Sequence, residues 1–253
     1  MESLLAIIIV GILLVGIAPV IAISVATRVQ ARRVESATQA ARTYLEGTRA
    51  DSIQAPNNRV YLKQGTLINP TNGILFDGAV APPDINTLSG CLTKTAAASN
   101  SICKTNTYIN NPPDGATSSL YCFDVDGDGV CSADSTQDMI VQAFRSASNS
   151  STTQSDIQED AARGYILGIR VYRADGFDGG DVFRASSSTD NQKAATFTGG
   201  LGDKKVPLVE ITTDITIRGN DITKLFPNLC SRLGGSDSNK LSPNTSCPPP
   251  PSP

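Results

Sequence analysis

From Leu4 to Ala26 the chain carries 23 consecutive residues without a charge. As a helix such a run is about 34 Å long, enough to cross the hydrocarbon core of a bilayer. A secretory signal core is usually shorter, follows Lys or Arg, and ends in small residues. Here no basic residue precedes the run, and the acidic Glu2 stands at its start. A carboxylate at the end of a membrane helix is costly unless it reaches the interface or finds a partner. The helix dipole offsets that cost only modestly. Glu2 is therefore either an ordinary interfacial residue or the partner of another subunit's N-terminal amine when helices pack side by side. Gly11 and Pro19 follow it, and a proline inside an apolar helix loosens or kinks it.

The helical pattern continues beyond the apolar run. Val34, Ala37, Ala41 and Tyr44 share one face, while Arg33, Glu35, Arg42, Glu46 and Arg49 occupy others. Gly47 weakens the helix, and Pro56 ends it at or before Ala55. The spacing predicts one helix from Glu2 to about Ala55, roughly 80 Å long. The chain then divides into an assembly half of the helix over 1–27, an amphipathic half over 28–55, a head over 56–229 and a tail over 230–253.

The head reads as α+β, with the long helix packed on an antiparallel sheet. Gly164–Tyr172 is a strand by its β-branched and aromatic content. Pro207–Arg218 is a second, and its alternation changes phase at Thr212-Thr213-Asp214, which predicts a bulge. Short apolar stretches lie within 57–80 between Asn-Pro and Asn-Gly turns. Residues 81–120 read as a long loop, 146–155 as a polar connector, 175–202 as a flexible excursion, and 248–253 as an extended Pro-rich end.

Six cysteines, Cys91, Cys103, Cys122, Cys131, Cys230 and Cys247, all follow the apolar run. An even number in an exported chain reads as disulfides, with fifteen formal pairings. Pairing between neighbours is expected: Cys91–Cys103, Cys122–Cys131 and Cys230–Cys247. Between the middle two lies Asp124-Val125-Asp126-Gly127-Asp128-Gly129. Acids at loop positions 1, 3 and 5 with Gly at 6 open an EF-hand-type calcium loop, in which alternate residues turn hard oxygen ligands inward. The Val130 carbonyl and Ser132 supply later positions. Position 12 is Ser135 rather than the bidentate Glu, so Asp134 or Asp138 would have to substitute. A structural calcium is expected, with a metal-free Asp-Gly turn as the alternative.

Glu2, Gly11 and Pro19, in the context Glu2-Ser3-Leu4-Leu5-Ala6-Ile7-Ile8-Ile9-Val10-Gly11-Ile12-Leu13 and Ala18-Pro19, resemble the N-terminal segment of type IV pilins and pseudopilins. The resemblance covers about 30 residues. It implies other pilin subunits, the inner membrane, a prepilin peptidase and a pilus assembly machinery as partners. It also implies processing with N-methylation, and an assembled filament in the periplasm or outside the cell. The basic leader and its cleavage glycine are expected upstream of Met1. In size and style the chain is similar to the pseudopilins of cyanobacterial hormogonium polysaccharide secretion, which implies a polysaccharide cargo.

Function classes narrow further. No histidine occurs, which removes His-based acid–base catalysis, Ser-His-Asp arrangements and His-ligated metals. The net charge of −3 carries no nucleic-acid footprint. The chain is expected not to be an enzyme, although Asp175, Asp178 and Asp181 would be the carboxylates of a hydrolase. Arg28, Arg32 and Arg33 by themselves would hold their end of the span in the cytoplasm. The cysteines and the acidic loop favour an external head. The alternative to a filament subunit is a signal-anchored, calcium-binding adhesin or carbohydrate-binding module.

Overall fold

A computed structural model describes residues 2–60, 76, 79–82, 106–111, 119–146, 161–162, 164–177, 182–185 and 203–216, with the backbone alone for 2–5. Helix α1 runs unbroken over Glu2–Arg49 and contains Pro19. It is about 72 Å long at 1.5 Å per residue. It stops six residues short of the expected Ala55. The reason is a local cap. Asp51 takes a left-handed φ of 61°, and the Ser52 and Ile53 amides both turn back to the Gly47 carbonyl, at 3.0 and 3.1 Å. The Ile53 side chain then fills the space a side chain at Gly47 would need, so that glycine makes the cap possible.

Among the described residues six strands follow: β1 (Arg59–Val60), β2 (Tyr108–Asn110), β3 (Ser119–Phe123), β4 (Met139–Ser146), β5 (Tyr165–Arg173) and β6 (Val209–Ile215). Their order is β2-β3-β4-β5-β6, each pair antiparallel. β3 begins opposite Ala143. Beyond that point β1 takes over the same edge of β4, pairing parallel with Arg145 and Ser146.

The helix covers the front of the sheet. Ala37, Ala40, Ala41 and Tyr44 are buried against Val141, Ala143, Tyr165, Leu167, Ile169 and Val171, as the spacing of Val34, Ala37, Ala41 and Tyr44 predicts. The rear is buried as well. Leu120, Cys122, Ile140 and Tyr172 pack with Phe177 and Phe183, and Phe144 packs with Phe76, Val60 and Ile166. Polar side chains on the buried strands are used as fasteners. Arg170 donates to the Ala79 carbonyl and Gln142 to the Val80 carbonyl, each at 2.8 Å. The Nε of the fully buried Arg145 donates to the Pro56 carbonyl at 2.9 Å.

Several expectations are corrected. The loop read over 81–120 contains β2 and the start of β3. Every residue of β4 is buried, so its sequence lacks the alternation that marks a half-exposed strand. β5 and β6 pair in one continuous register from Tyr165–Ile215 to Val171–Val209, and Thr212–Asp214 forms no bulge. The excursion read over 175–202 opens on a buried 3-10 turn, Ala174–Phe177. The connector over 147–155 and the tail from 230 lie outside the described residues.

The Phe144 ring occupies the space a methyl at Gly168 would need. It is held there by Phe76, edge-on at 4.9 Å, and by the Arg170 guanidinium, 4.9 Å from its centre. Gly168→Ala is expected to lower stability by about 1–3 kcal/mol through overpacking. The denaturant midpoint of the full chain measures this, and an unchanged midpoint would show that the ring swings aside.

Candidate functional site

The first candidate is the apolar half of α1. Every residue from Ala6 to Val25 is exposed, including Ile7 at 73% and Val15 at 76%. Nothing in the described structure covers this surface. Such a length of apolar helix can serve as a membrane anchor. Glu2 is the first residue of the helix, with Gly11 and Pro19 on the same uninterrupted element. Both Gly11 and Pro19 are exposed.

The second half of α1 fixes the direction of the head. Arg33 lies in the field of Arg173 and Asp175. Farther along, the Arg49 guanidinium donates to the Thr213 hydroxyl at 3.1 Å, and Thr213 pairs with Leu167. α1 therefore runs antiparallel to β5. The end of β5 at Arg173, the 3-10 turn and the end of β3 at Phe123 all face the apolar half of the helix. At this base Asp175 is buried and ion-paired with Arg173, with the Lys204 ammonium 3.6 Å away. Burial and the neighbouring Arg173 push the Arg33 guanidinium below its usual value, while Asp175 acts in the opposite sense.

The second candidate is the acidic loop, at the same end of the sheet. β3 delivers Cys122, which forms a disulfide with Cys131 across a Cα separation of 6.1 Å. Between them Gly127 and Gly129 adopt left-handed φ values of 77° and 87°, a conformation glycine takes without strain. The turns fold the acids onto their own backbone. Asp124 accepts from the Gly127 and Gly129 amides at 2.6 and 3.0 Å. Asp126 accepts from the Asp128 amide and, at 2.8 Å, from the Ser135 hydroxyl. Asp128 accepts from the Val130 amide at 2.8 Å.

One carboxylate oxygen from each of Asp124, Asp126 and Asp128 lies within 4.8 Å of the others. Calcium holds oxygens at about 2.3–2.6 Å, so two ligands of one ion are at most about 5 Å apart. The three acids could hold such an ion. The other expected ligands fall differently. Asp134 is exposed and outside this group. The Ser132 hydroxyl accepts from the Asp134 amide at 3.1 Å, and Val130 forms an isolated bridge. Asp138 does not substitute at position 12. It is fully buried, and its two oxygens accept from the Val125 and Ser132 amides, each at 3.2 Å. Burial raises the Asp138 carboxyl above its usual range, the two amide hydrogen bonds pull it down, and Asp126 and Asp124 add to the rise.

Of the hydrolase acids, Asp175 is locked in its buried ion pair rather than solvated, while Asp178 and Asp181 lie outside the described residues. Cys91, Cys103, Cys230 and Cys247 lie outside them too. Sequence reasoning missed the base cluster of Arg33, Arg173, Asp175 and Lys204. The signal was present: Arg170 and Arg173 stand inside an apolar strand, and buried guanidinium groups need acceptors. No family model, curated protein or solved structure matches the chain.

Asp138 ties the two ends of the acidic loop to the start of β4. Asp138→Ala is expected to cost about 1–3 kcal/mol by leaving two half-buried amides without their acceptor. A thermal melt of the full chain in detergent measures it. A melt unchanged from the parent would show that water replaces the carboxylate.

Proposed function

We propose that the chain is a structural filament subunit of the pilin or pseudopilin type. It is held in the inner membrane before assembly and polymerises through α1, with its head outside the cytoplasm. The observation that carries this reading is the division of one unbroken helix. It is exposed from Ala6 to Val25, where it carries no charge, and its second half is built into the core of an α+β head. A simple anchor needs no such continuity, because a flexible linker would tether a head equally well. A subunit whose helices pack together inside a filament does need it, since the helix must transmit its position to the head. Glu2, Gly11 and Pro19 support the same reading by their spacing. The partners are then other pilin-type subunits, the prepilin peptidase and the assembly machinery. The large head favours a minor role in a secretion filament with polysaccharide as its cargo.

The test is Glu2→Ala in the strain that carries the chain. Membrane insertion should be unaffected, because the apolar run is unchanged. Recovery in the sheared filament fraction should fall roughly tenfold, the effect of about 1.4 kcal/mol of lost pairing. Full incorporation of the variant would sink the filament reading and leave an anchored adhesin or carbohydrate-binding module.

We also propose that the Asp124–Asp128 loop takes one structural calcium at extracellular concentrations. Calcium in about 100-fold excess over its Kd should stabilise the head by about 3 kcal/mol. Calorimetry of the full chain, with calcium and then with chelator, measures the shift. The Asp124→Asn, Asp126→Asn, Asp128→Asn variant should lose it. A parent chain that melts identically in both solutions would leave the acids as partners of their own backbone amides only.

A further inference from the structure

We propose that the outward face of the second half of α1 receives the same face of a second copy of this chain, with the two parallel helices displaced by seven residues, about 10.5 Å. Arg28 then meets Glu35 of the second copy, and Glu35 meets its Arg42. The inference deepens the filament reading proposed above and rests on it.

The placement of these residues comes first. Ala37, Ala40, Ala41, Tyr44 and Thr48 mark the buried side of the helix. At about 100° per residue, Arg28, Glu35 and Arg42 fall on the opposite side. All three are exposed, as are Arg32, Gln39 and Glu46 around them. Seven residues make almost two full turns, so 28, 35 and 42 follow one line that drifts by only about 20° per step. That line points away from the sheet. Two helices can therefore lie back to back along it, with their heads on opposite sides.

Charge then sets the height. The line reads Arg, Glu, Arg. At equal heights each residue would face its own kind, and like charges repel. A displacement of seven residues brings opposite charges together at two successive levels. A displacement of three or four residues instead carries the pairs about 60° or 40° around the helix, off the line. One level farther on, Arg42 would meet Arg49. Arg49 is drawn aside to β6, where it donates to the Thr213 hydroxyl at 3.1 Å. Beside the line, Arg32 meets Gln39 and Gln39 meets Glu46, with no like charges opposed. Among the described residues, Arg28, Glu35 and Arg42 enter no ion pair within their own chain.

The same helix carries the exposed apolar length Ala6–Val25, which the filament reading places between copies. Apolar contact is non-directional and fixes no height by itself. Paired charges do fix a register. The two halves of α1 thus divide the work, the first supplying adhesion and the second the axial step.

The experiment inverts the line in the strain that carries the chain. Glu35→Arg opposes like charges at both levels, and its recovery in the sheared filament fraction should fall roughly tenfold. The Arg28→Glu, Glu35→Arg, Arg42→Glu variant restores both pairs with their signs exchanged and should recover the parental level. A folding defect in the single variant would not be repaired this way. The step itself is read by mild oxidation of filaments in which chains carrying Arg32→Cys are co-expressed with chains carrying Gln39→Cys. A 32–39 crosslink between copies is expected. Glu35→Arg that assembles like the parent overturns the proposal. So does an inverted variant that stays out of the filament, which would make the neighbour a different chain. Crosslinking between copies that carry Arg32→Cys alone would put the helices at equal height and overturn it too. A parent chain absent from the filament fraction defeats the filament reading itself, whereas a parent that assembles without regard to these charges defeats only the register.

Discussion

How closely α1 can lie on the sheet is decided by methyl groups. At Ala37, Ala40 and Ala41 the buried face of the helix offers only methyl groups, so the backbone approaches the strands, and Tyr44 is the large side chain that the helix buries fully in the seam. Tyr44 meets Tyr108 and Tyr121 edge-on, with ring centres 6.3 and 5.3 Å apart. It thereby reaches past the central strands to the β2–β3 edge. The Tyr44 and Tyr108 hydroxyls are hydrogen-bonded, and the Tyr108 hydroxyl also donates to the Gln54 carbonyl at 2.8 Å. Burial raises both phenols well above their usual range, so both stay neutral and able to donate at any physiological pH. Alanines set the distance and tyrosines set the lateral position. The direction of the head relative to the apolar half follows from the two together.

The parts of the fold legible in the sequence were those that obey one simple period. The long helix shows its apolar run and then its 3.6-residue face, and both survive in the structure. β5 and β6 were legible from β-branched content, and the Cys122–Cys131 bridge from two cysteines flanking a turn-rich loop. β4 was not legible, because a strand buried on both faces does not alternate. Gln142 and Arg145 within it look like surface residues until their acceptors are known. Those acceptors are backbone carbonyls of Val80 and Pro56, far away in sequence. The acidic loop was legible as a pattern of ligand types. The diversion of Asp138 to two backbone amides was not, since only the fold brings Val125 and Ser132 to it.

The rear of the sheet shows how a chain short of aromatic residues closes a second core layer. Phe76 and Phe144 form one small cluster, and Tyr172, Phe177 and Phe183 form another. Between these apolar islands, Arg170 carries two duties. It catches the Ala79 carbonyl, and it pairs with Glu210 on β6 at 2.8 Å. Its charge is thus met inside the layer, which a buried guanidinium requires. The segment 79–82 is fastened to the sheet by hydrogen bonds as well as by apolar contact.

The short strand β1 has a consequence for the order of events. It leaves the helix almost at once, yet its place is beside the end of β4. The Arg145–Pro56 hydrogen bond closes a stretch of 89 residues. Local turns and hairpins such as β3–β4 can form while that loop is still open, because closing a long loop costs entropy before any contact rewards it. The junction between rod and head is therefore stitched late. Until β4 arrives, the stretch that follows the helix lacks the strand edge that β1 pairs with.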